Sequence, residues 1–191
     1  MHATEFAGAS LIEPKKLGDE RGYFSRIFCA EEFLRHGLPA TFVQQNVSVS
    51  KKRGTLRGMH YQIAPHAEAK LVRCIRGEIV DVIIDLRPQS PTFLKWAAFH
   101  LSAQNMLQLL VPAGFAHGFQ TCTDDTEVGY LVTQAYCPAA ERGVRWNDPL
   151  IGITWPLEPS EMSHKDRNWP DLDLKRVARR TIVHQSAGCA R

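Results

Sequence analysis

The run EIVDVIIDLR, residues 78–87, decides the fold class. Successive side chains of an extended strand point to opposite faces, so Val80, Val82, Ile84 and Leu86 share one side while Asp81 and Asp85 fall on the other. The first side is expected to face a core. Ile79 and Ile83 show that the second side is not plainly wet. Pro88, Ser90 and Pro91 then end the run, because proline cannot donate to a central ladder. Working outward in both directions, the same short β-like character recurs. VQQNVSVS (43–50), TLRGMHY (55–61) and KLVRCIRG (70–77) precede it; WAAFHLS (96–102), MLQLLVP (106–112), AHGFQTC (116–122) and EVGYLVTQAY (127–136) follow. Clusters of Gly, Pro, Ser, Asp and Asn separate these runs, and that spacing predicts an all-β sandwich or closed barrel.

Helical signal is confined to the flanks. AEEFLRHG (30–37) has acidic residues early, a basic pair late and a glycine stop, which matches a short helix to its dipole. DLDLKRVARR (171–180) predicts one more, and the polar, unpatterned residues 181–191 are expected to fray. With 191 residues and 44% hydrophobic content the chain fills one core, so residues 1–180 are read as a single domain. A formal charge of +3 suits anionic small ligands but forms no basic stripe of the kind that tracks nucleic acid. The start MHATEFAGAS has no secretory order, and no run approaches the roughly 20 apolar residues that span a bilayer. A cytoplasmic protein with no membrane partner is expected. Cys29, Cys74, Cys122, Cys137 and Cys189 are widely spaced with no CxxC unit, and read as reduced, mostly buried thiols.

Ionisable residues at otherwise apolar strand positions mark the chemistry: Arg57 and His60 in LRGMHYQ (56–62), and His117 in VPAGFAHGF (111–119). The spacing from Gly54 to His60, and Pro112, Gly114 and His117, resemble the two short motifs of the cupin superfamily. A metal-binding cupin carries HxH and then Glu in the first motif. Here Gln62 stands at the second histidine, and an amide replaces imidazole poorly on a divalent ion, although Glu68 could complete a weak set with His60 and His117. Neither metal nor organic cofactor is expected.

DERGYF (19–24), QQNVSVS (44–50), LRGMHYQ, AKLVRCIRGEIVDVIIDLR (69–87), SPTFLKW (90–96), VPAGFAHGF, ERGVRWNDP (141–149), IGITWP (151–156) and SHKD (163–166) follow one another in the order of a known family. Over roughly residues 5–173 the chain resembles the deoxythymidine diphosphate (dTDP) 4-dehydrorhamnose 3,5-epimerases. The resemblance implies a cupin-type jelly-roll barrel with short flanking helices, a homodimer whose N-terminal strands join the neighbour's sheet, a dTDP-linked 4-keto-6-deoxy sugar as substrate, and no metal or cofactor. It also implies roles. His60 matches the family's base, Tyr130 its acid, Asp166 the carboxylate paired with the base and Lys70 the enolate-stabilising lysine. His117 matches a second histidine, and Arg21, Phe24, Gln44, Asn46, Arg57 and Tyr136 match positions lining the substrate groove. Arg26 departs from the pattern, since many members have Glu there, which bears on substrate choice rather than on chemistry.

The residue types fit that reading. A proton beside a ketone leaves only when a base is in line and the enolate oxygen meets positive charge or a donor. Histidine titrates near neutrality, a carboxylate fixes its tautomer, and a phenol can return the proton to the opposite face. Arginine forks suit a diphosphate. Each residue also has a plainer explanation. His60 and His117 could be hydrogen-bonded structural histidines, Tyr130 a core aromatic, Asp166 a helix cap, Lys70 a surface lysine, and Arg21 and Arg57 members of an ion-pair lattice. Tyr136 competes with Tyr130 for the acid role. Trp96, Trp146, Trp155 and Trp169 read as packing or interface residues. Three other functions stay open: a single-centre epimerase of a related deoxysugar nucleotide, a metal-dependent cupin enzyme, and a non-catalytic sugar-nucleotide binding module.

Overall fold

The computed structural model describes residues 1–173. Within 171–173 there is no helix; the remainder of the helix expected over 171–180, the tail 181–191 and Cys189 lie outside the described residues. Among the described residues thirteen strands and two short helices follow in order: β1 (His2–Ala3), β2 (Ser10–Ile12), β3 (Lys16–Asp19), β4 (Gly22–Ser25), α1 (Ala30–Arg35), β5 (Gln44–Ser50), β6 (Leu56–Gln62), β7 (Lys70–Arg76), β8 (Glu78–Asp85), β9 (Trp96–Ser102), β10 (Gln108–Val111), β11 (Phe115–Thr121), β12 (Thr126–Val132), β13 (Glu141–Gly143) and α2 (His164–Arg167). Two antiparallel sheets of jelly-roll type face each other. One runs β1-β2-β10-β7-β12-β5, the other β13-β6-β11-β8-β9.

The main core lies between these sheets. Val72, Cys74, Leu109, Val111 and Val128 come from the first sheet, and Ile79, Ile83, Leu101, Phe115 and Phe119 from the second. Burying each Ile, Val or Phe contributes about 1.5–3 kcal/mol, so this layer dominates stability. Phe6 closes it, edge-on to Phe115 at 6.0 Å.

The run that decided the fold class is buried on both faces, and the order of its faces differs from the expectation. Ile79 and Ile83 point into the barrel, whereas Val82, Ile84 and Leu86 pack outward against Met59, Ala116, Val144 and Ile151. Ile153, Trp155 and Leu172 of the C-terminal segment cover that second layer. Asp81 and Asp85 are buried on the inward face; Asp85 is matched by several donors, whereas Asp81 meets His117 at one carboxylate oxygen and has no partner at the other among the described residues.

Other differences have local causes. EVGYLVTQAY is a strand only as far as Val132, so Tyr136 lies in coil rather than on a strand. The short strands β1 to β4 and β13 carry too few residues for alternation to show. α1 stops two residues before the expected end; Glu31 and Glu32 open it, Arg35 closes it, and Phe33 is its buried residue. Among the described cysteines only Cys74 is buried, and burial pushes its thiol up to about 11. The β3–β4 hairpin pairs only with itself and joins neither main sheet.

Candidate active site

Strand pairing puts the candidate residues on two facing surfaces. On the second sheet, His60 of β6 lies opposite His117 of β11, and paired residues share a face. On the first sheet, Tyr130 of β12 lies between Asn46 of β5 and Val72 of β7, while Val132 lies between Gln44 and Lys70. Val72 and Tyr130 belong to the main core layer, so Lys70, Gln44 and Asn46, on the same pleat face, turn toward the interior as well. The site is therefore built between the sheets.

His60 Nε2 is 2.6 Å from Asp166 Oδ1. Asp166 sits in α2, whose N-cap is Ser163: the Asp166 amide donates to Ser163 Oγ at 3.0 Å. Asp166 is thus inside the helix, not its cap. The Gly58 amide donates to the other carboxylate oxygen at 3.4 Å. Burial pushes the Asp166 pKa up, but hydrogen bonding and charge from His60, with help from Gly58 and Ser163, outweigh it and hold the carboxyl below its ordinary value. An ionised carboxylate fixes the proton on Nε2 and leaves Nδ1 with the free lone pair.

Lys70 is no surface lysine. Its side chain is only 12% exposed, pairs with Glu68 at 3.2 Å and donates to the His60 carbonyl at 3.4 Å, tying the two sheets together. Tyr130 has its pKa raised, chiefly by burial; the Arg57 charge opposes this and the Glu68 charge adds to it. The phenol therefore keeps its proton at neutral pH. His117 Nε2 is bonded to Asp81 at 2.8 Å in a buried pair. Tyr136 is exposed, donates its hydroxyl proton to Glu141 Oε2 at 2.9 Å, and has its backbone amide on Gln44 Oε1 at 3.2 Å. Gln44 in turn donates to Asn46 at 2.8 Å. Arg57 donates from Nε to Ser50 Oγ at 3.1 Å and from its fork to the Val49 carbonyl at 2.9 Å, which holds the guanidinium at the edge of β5.

Arg21 and Phe24 are not brought to this site within one chain. Both belong to the β3–β4 hairpin; Arg21 pairs with Asp19 on its own turn, and Phe24 is 66% exposed. Trp169, read from sequence as packing, stands edge-on to His60 with ring centroids 6.3 Å apart. Gly143, opposite His60 in the β13–β6 ladder, has no side chain where the Trp169 ring lies, so a Cβ there would displace the ring. The signal for Trp169 was its place three residues after Asp166. Glu141, which links Tyr136 to Lys165, was missed because it lies in a three-residue strand.

The Gln62 amide is occupied by backbone: it donates to the carbonyls of His66 at 3.0 Å and Ala135 at 3.3 Å and accepts from the Cys137 amide at 2.6 Å. Glu68 is held by Lys70 rather than by the two histidines. Among the described residues no group of three or more His, Cys, Asp or Glu is arranged to hold a metal ion, and no helix is long and apolar enough to cross a membrane.

Comparison with known proteins bears on what this arrangement does. Residues 3–173 match the family described as dTDP-4-dehydrorhamnose 3,5-epimerase. A dTDP-4-dehydrorhamnose 3,5-epimerase of Sinorhizobium fredii is 47% identical over 171 residues, covering 89% of this chain and 88% of the relative. The crystal structure of a dTDP-4-dehydrorhamnose 3,5-epimerase from Bacillus anthracis, with TDP and pyrophosphate bound, superposes with a TM-score of 0.87 at 45% identity, covering 89% of this chain and 97% of that one. A 3'-monoepimerase from Streptomyces bikiniensis, solved with dTDP-quinovose, superposes with a TM-score of 0.85 at 36% identity, covering 98% and 95% of the two chains.

Proposed function

The chain belongs to the dTDP-4-dehydrorhamnose 3,5-epimerase family, and on that premise we propose how its barrel converts dTDP-4-keto-6-deoxyglucose to dTDP-4-dehydrorhamnose. The reaction is epimerisation at C3 and C5, the two carbons that flank the C4 ketone. The observation that carries the mechanism is His60 on one sheet, paired with Asp166 of α2, and a half-buried, protonated phenol, Tyr130, on the sheet that faces it.

Nδ1 of His60, left with its lone pair by the bond from Nε2 to Asp166, removes the proton from C3 or C5. The electron pair moves onto the ketone oxygen, where the Lys70 ammonium stabilises the enolate. Tyr130 then gives a proton to the opposite face of the same carbon, and the enolate collapses to the inverted ketone. Asn46, Gln44, Arg57 and His117 orient the sugar nucleotide, with Arg57 directed to the diphosphate.

The site works as a homodimer and without metal or organic cofactor. Support for the dimer is the unattached β3–β4 hairpin, whose Arg21 and Phe24 would reach the neighbour's groove, together with exposed Val47 and Val49 on β5 and exposed Val43 just before it. Support for cofactor-free chemistry is the Gln62 amide, whose hydrogen bonds go to backbone. A cytoplasmic location fits the four free cysteines among the described residues.

Proton NMR of the 4-keto sugar nucleotide in deuterated water tests the reading. Deuterium should enter at both C3 and C5 with inverted configuration, and chelator should leave the rate unchanged. Exchange at one carbon alone makes the chain a single-centre epimerase; activity restored only by added divalent metal sinks the mechanism.

A further inference from the structure

We propose that Glu68 is a positioning residue for Lys70: together with the His60 carbonyl it fixes the rotation of the ammonium, so that the third N–H is presented to the ketone oxygen. This deepens the reading of Lys70 as the enolate's partner and rests on it.

A lysine ammonium has three donors and no acceptor. Among the described residues two of these donors are committed, one to Glu68 Oε1 at 3.2 Å and one to the carbonyl of His60 at 3.4 Å. Two fixed directions stop the head from spinning and leave one N–H for a ligand. Both contacts are longer than the roughly 2.7–2.9 Å of a tight charge-assisted bond, so the ammonium is oriented without being saturated. An oxyanion that develops in the groove can therefore draw it in. Without Glu68 only a neutral carbonyl on the facing sheet would hold a long side chain that is free to rotate about four bonds.

The backbone that carries Glu68 is set from both sides. The Ala69 amide donates to Thr133 Oγ1 at 2.9 Å, and the Ala69 carbonyl accepts from the Thr133 amide at 3.1 Å. Thr133 directly follows β12, the strand of Tyr130, so the root of Glu68 is tied to the frame of the site. Upstream, Gln62 of β6 donates to the His66 carbonyl at 3.0 Å and holds the turn that leads into Glu68. The Glu68 side chain is 7% exposed, and its Oε2 is buried without a partner among the described residues. A buried carboxylate with one oxygen unmatched is costly unless its cation stays beside it, and Lys70 is that cation. The Glu68 charge also reaches Tyr130: burial is the main cause of the raised phenol pKa, Arg57 opposes it and Glu68 adds to it. The carboxylate thus stands near both the ammonium and the phenol, which a tie of purely structural value has no need to do.

The test uses Glu68→Gln, Lys70→Met and the double variant, with kcat, KM and deuterium wash-in measured on the dTDP-linked 4-keto sugar and folding followed by thermal melting. Glu68→Gln keeps the size and removes the charge. It should slow kcat and wash-in together by about tenfold with KM within about twofold, because an N–H aimed at the enolate counts for more in the transition state than in the ground state. Lys70→Met should slow both at least as much and melt lower, since it leaves the Glu68 carboxylate buried and alone. The double variant, neutral at both positions, should melt above Lys70→Met and be no slower, as for a residue that acts only through its partner. Wild-type kcat and wash-in in Glu68→Gln overturn the proposal. A double variant about tenfold slower than Lys70→Met overturns it as well, because Glu68 then acts apart from the ammonium. Lys70→Met that exchanges at the wild-type rate removes the enolate role on which the proposal stands, and a wild-type chain that neither exchanges nor inverts the substrate fails at the epimerase reading itself, so the failures are told apart.

Discussion

His117 lies directly opposite His60 on the β6–β11 ladder, yet each imidazole is held by its own carboxylate, Asp81 at 2.8 Å and Asp166 at 2.6 Å. The two pairs differ in access. The His117 side chain is 8% exposed and its partner 0%, whereas His60 is 28% exposed above a buried Asp166. On the proposed reading, a substrate in the groove meets the more open His60, and the His117 pair lies beneath it. His60→Ala should abolish both inversion and deuterium wash-in. Asp166→Asn should slow both steps together by about 10- to 100-fold, because it no longer fixes the orientation and tautomer of the ring. Rapid wash-in by His60→Ala would transfer the base to another residue.

Asp85 gives a stability prediction independent of catalysis. Its buried carboxylate accepts from the Arg87 amide at 3.0 Å, Arg87 Nε at 2.9 Å, Ser90 at 2.6 Å and Thr92 at 2.7 Å. Burial pushes its pKa up, but these donors prevail and hold it below the ordinary value of 3.8. A folded-state pKa below the unfolded one stabilises the fold fully above 3.8, and that contribution disappears as pH falls through the lower, folded value. Asp85→Asn should cost about 3 kcal/mol at neutral pH by urea unfolding, the order of a broken buried pair, and the gap to wild type should narrow in acid. A gap independent of pH would assign the loss to packing.

The fold class was legible because the strands have clear ends, although among β5, β6, β7 and β11 only β5 alternates in burial. β5, β6, β7 and β11 each run long enough for turn clusters to frame them. Which face of β8 looks inward was not legible, since both faces are apolar and only the C-terminal segment, distant in sequence, covers the outer one. Within the site, His60 and His117 showed as ionisable residues in apolar strands, but the Asp166 partnership spans 106 residues and no local pattern encodes it. Arg21 and Phe24 matched groove positions by resemblance alone, and a single chain leaves them on an exposed hairpin.

That hairpin and the outer face of β5 make the dimer testable. Val47 pairs with Gly129, and the Ile75 side chain lies over that glycine, so Val47 and Ile75 form one exposed apolar patch beside an edge strand. Val47→Glu should turn a dimer into a monomer in sedimentation and lower activity by at least about tenfold, since each groove would lose the neighbour's Arg21 and Phe24; a charge buried in an apolar interface costs more than most interfaces can offset. A fully active monomeric wild type would remove both the dimer and the roles of those two residues.

The two phenols can be separated by what each leaves behind. Tyr130 is half-buried on the sheet facing His60, with its pKa raised mainly by desolvation, while Tyr136 is exposed and its pKa is raised mainly by the bond to Glu141. A phenol that returns a proton to carbon must have its O–H free to point at the sugar, and only Tyr130 lacks a carboxylate acceptor already in hydrogen-bond contact among the described bonds. Tyr130→Phe keeps the ring in the core and removes only the hydroxyl, so folding and ligand affinity should survive. His60 can still form the enolate and hand an exchanged deuteron back to the face it came from. The expected result is slowed inversion with deuterium entering C3 or C5 at retained configuration. Tyr136→Phe should leave inversion coupled to exchange, because it removes a positioning contact rather than the acid. If Tyr136→Phe alone uncouples them, the acid is Tyr136 and the epimerase reading stands with its proton donor replaced. If both variants invert at the wild-type rate, no phenol delivers the proton and the two-face mechanism between His60 and a tyrosine is wrong.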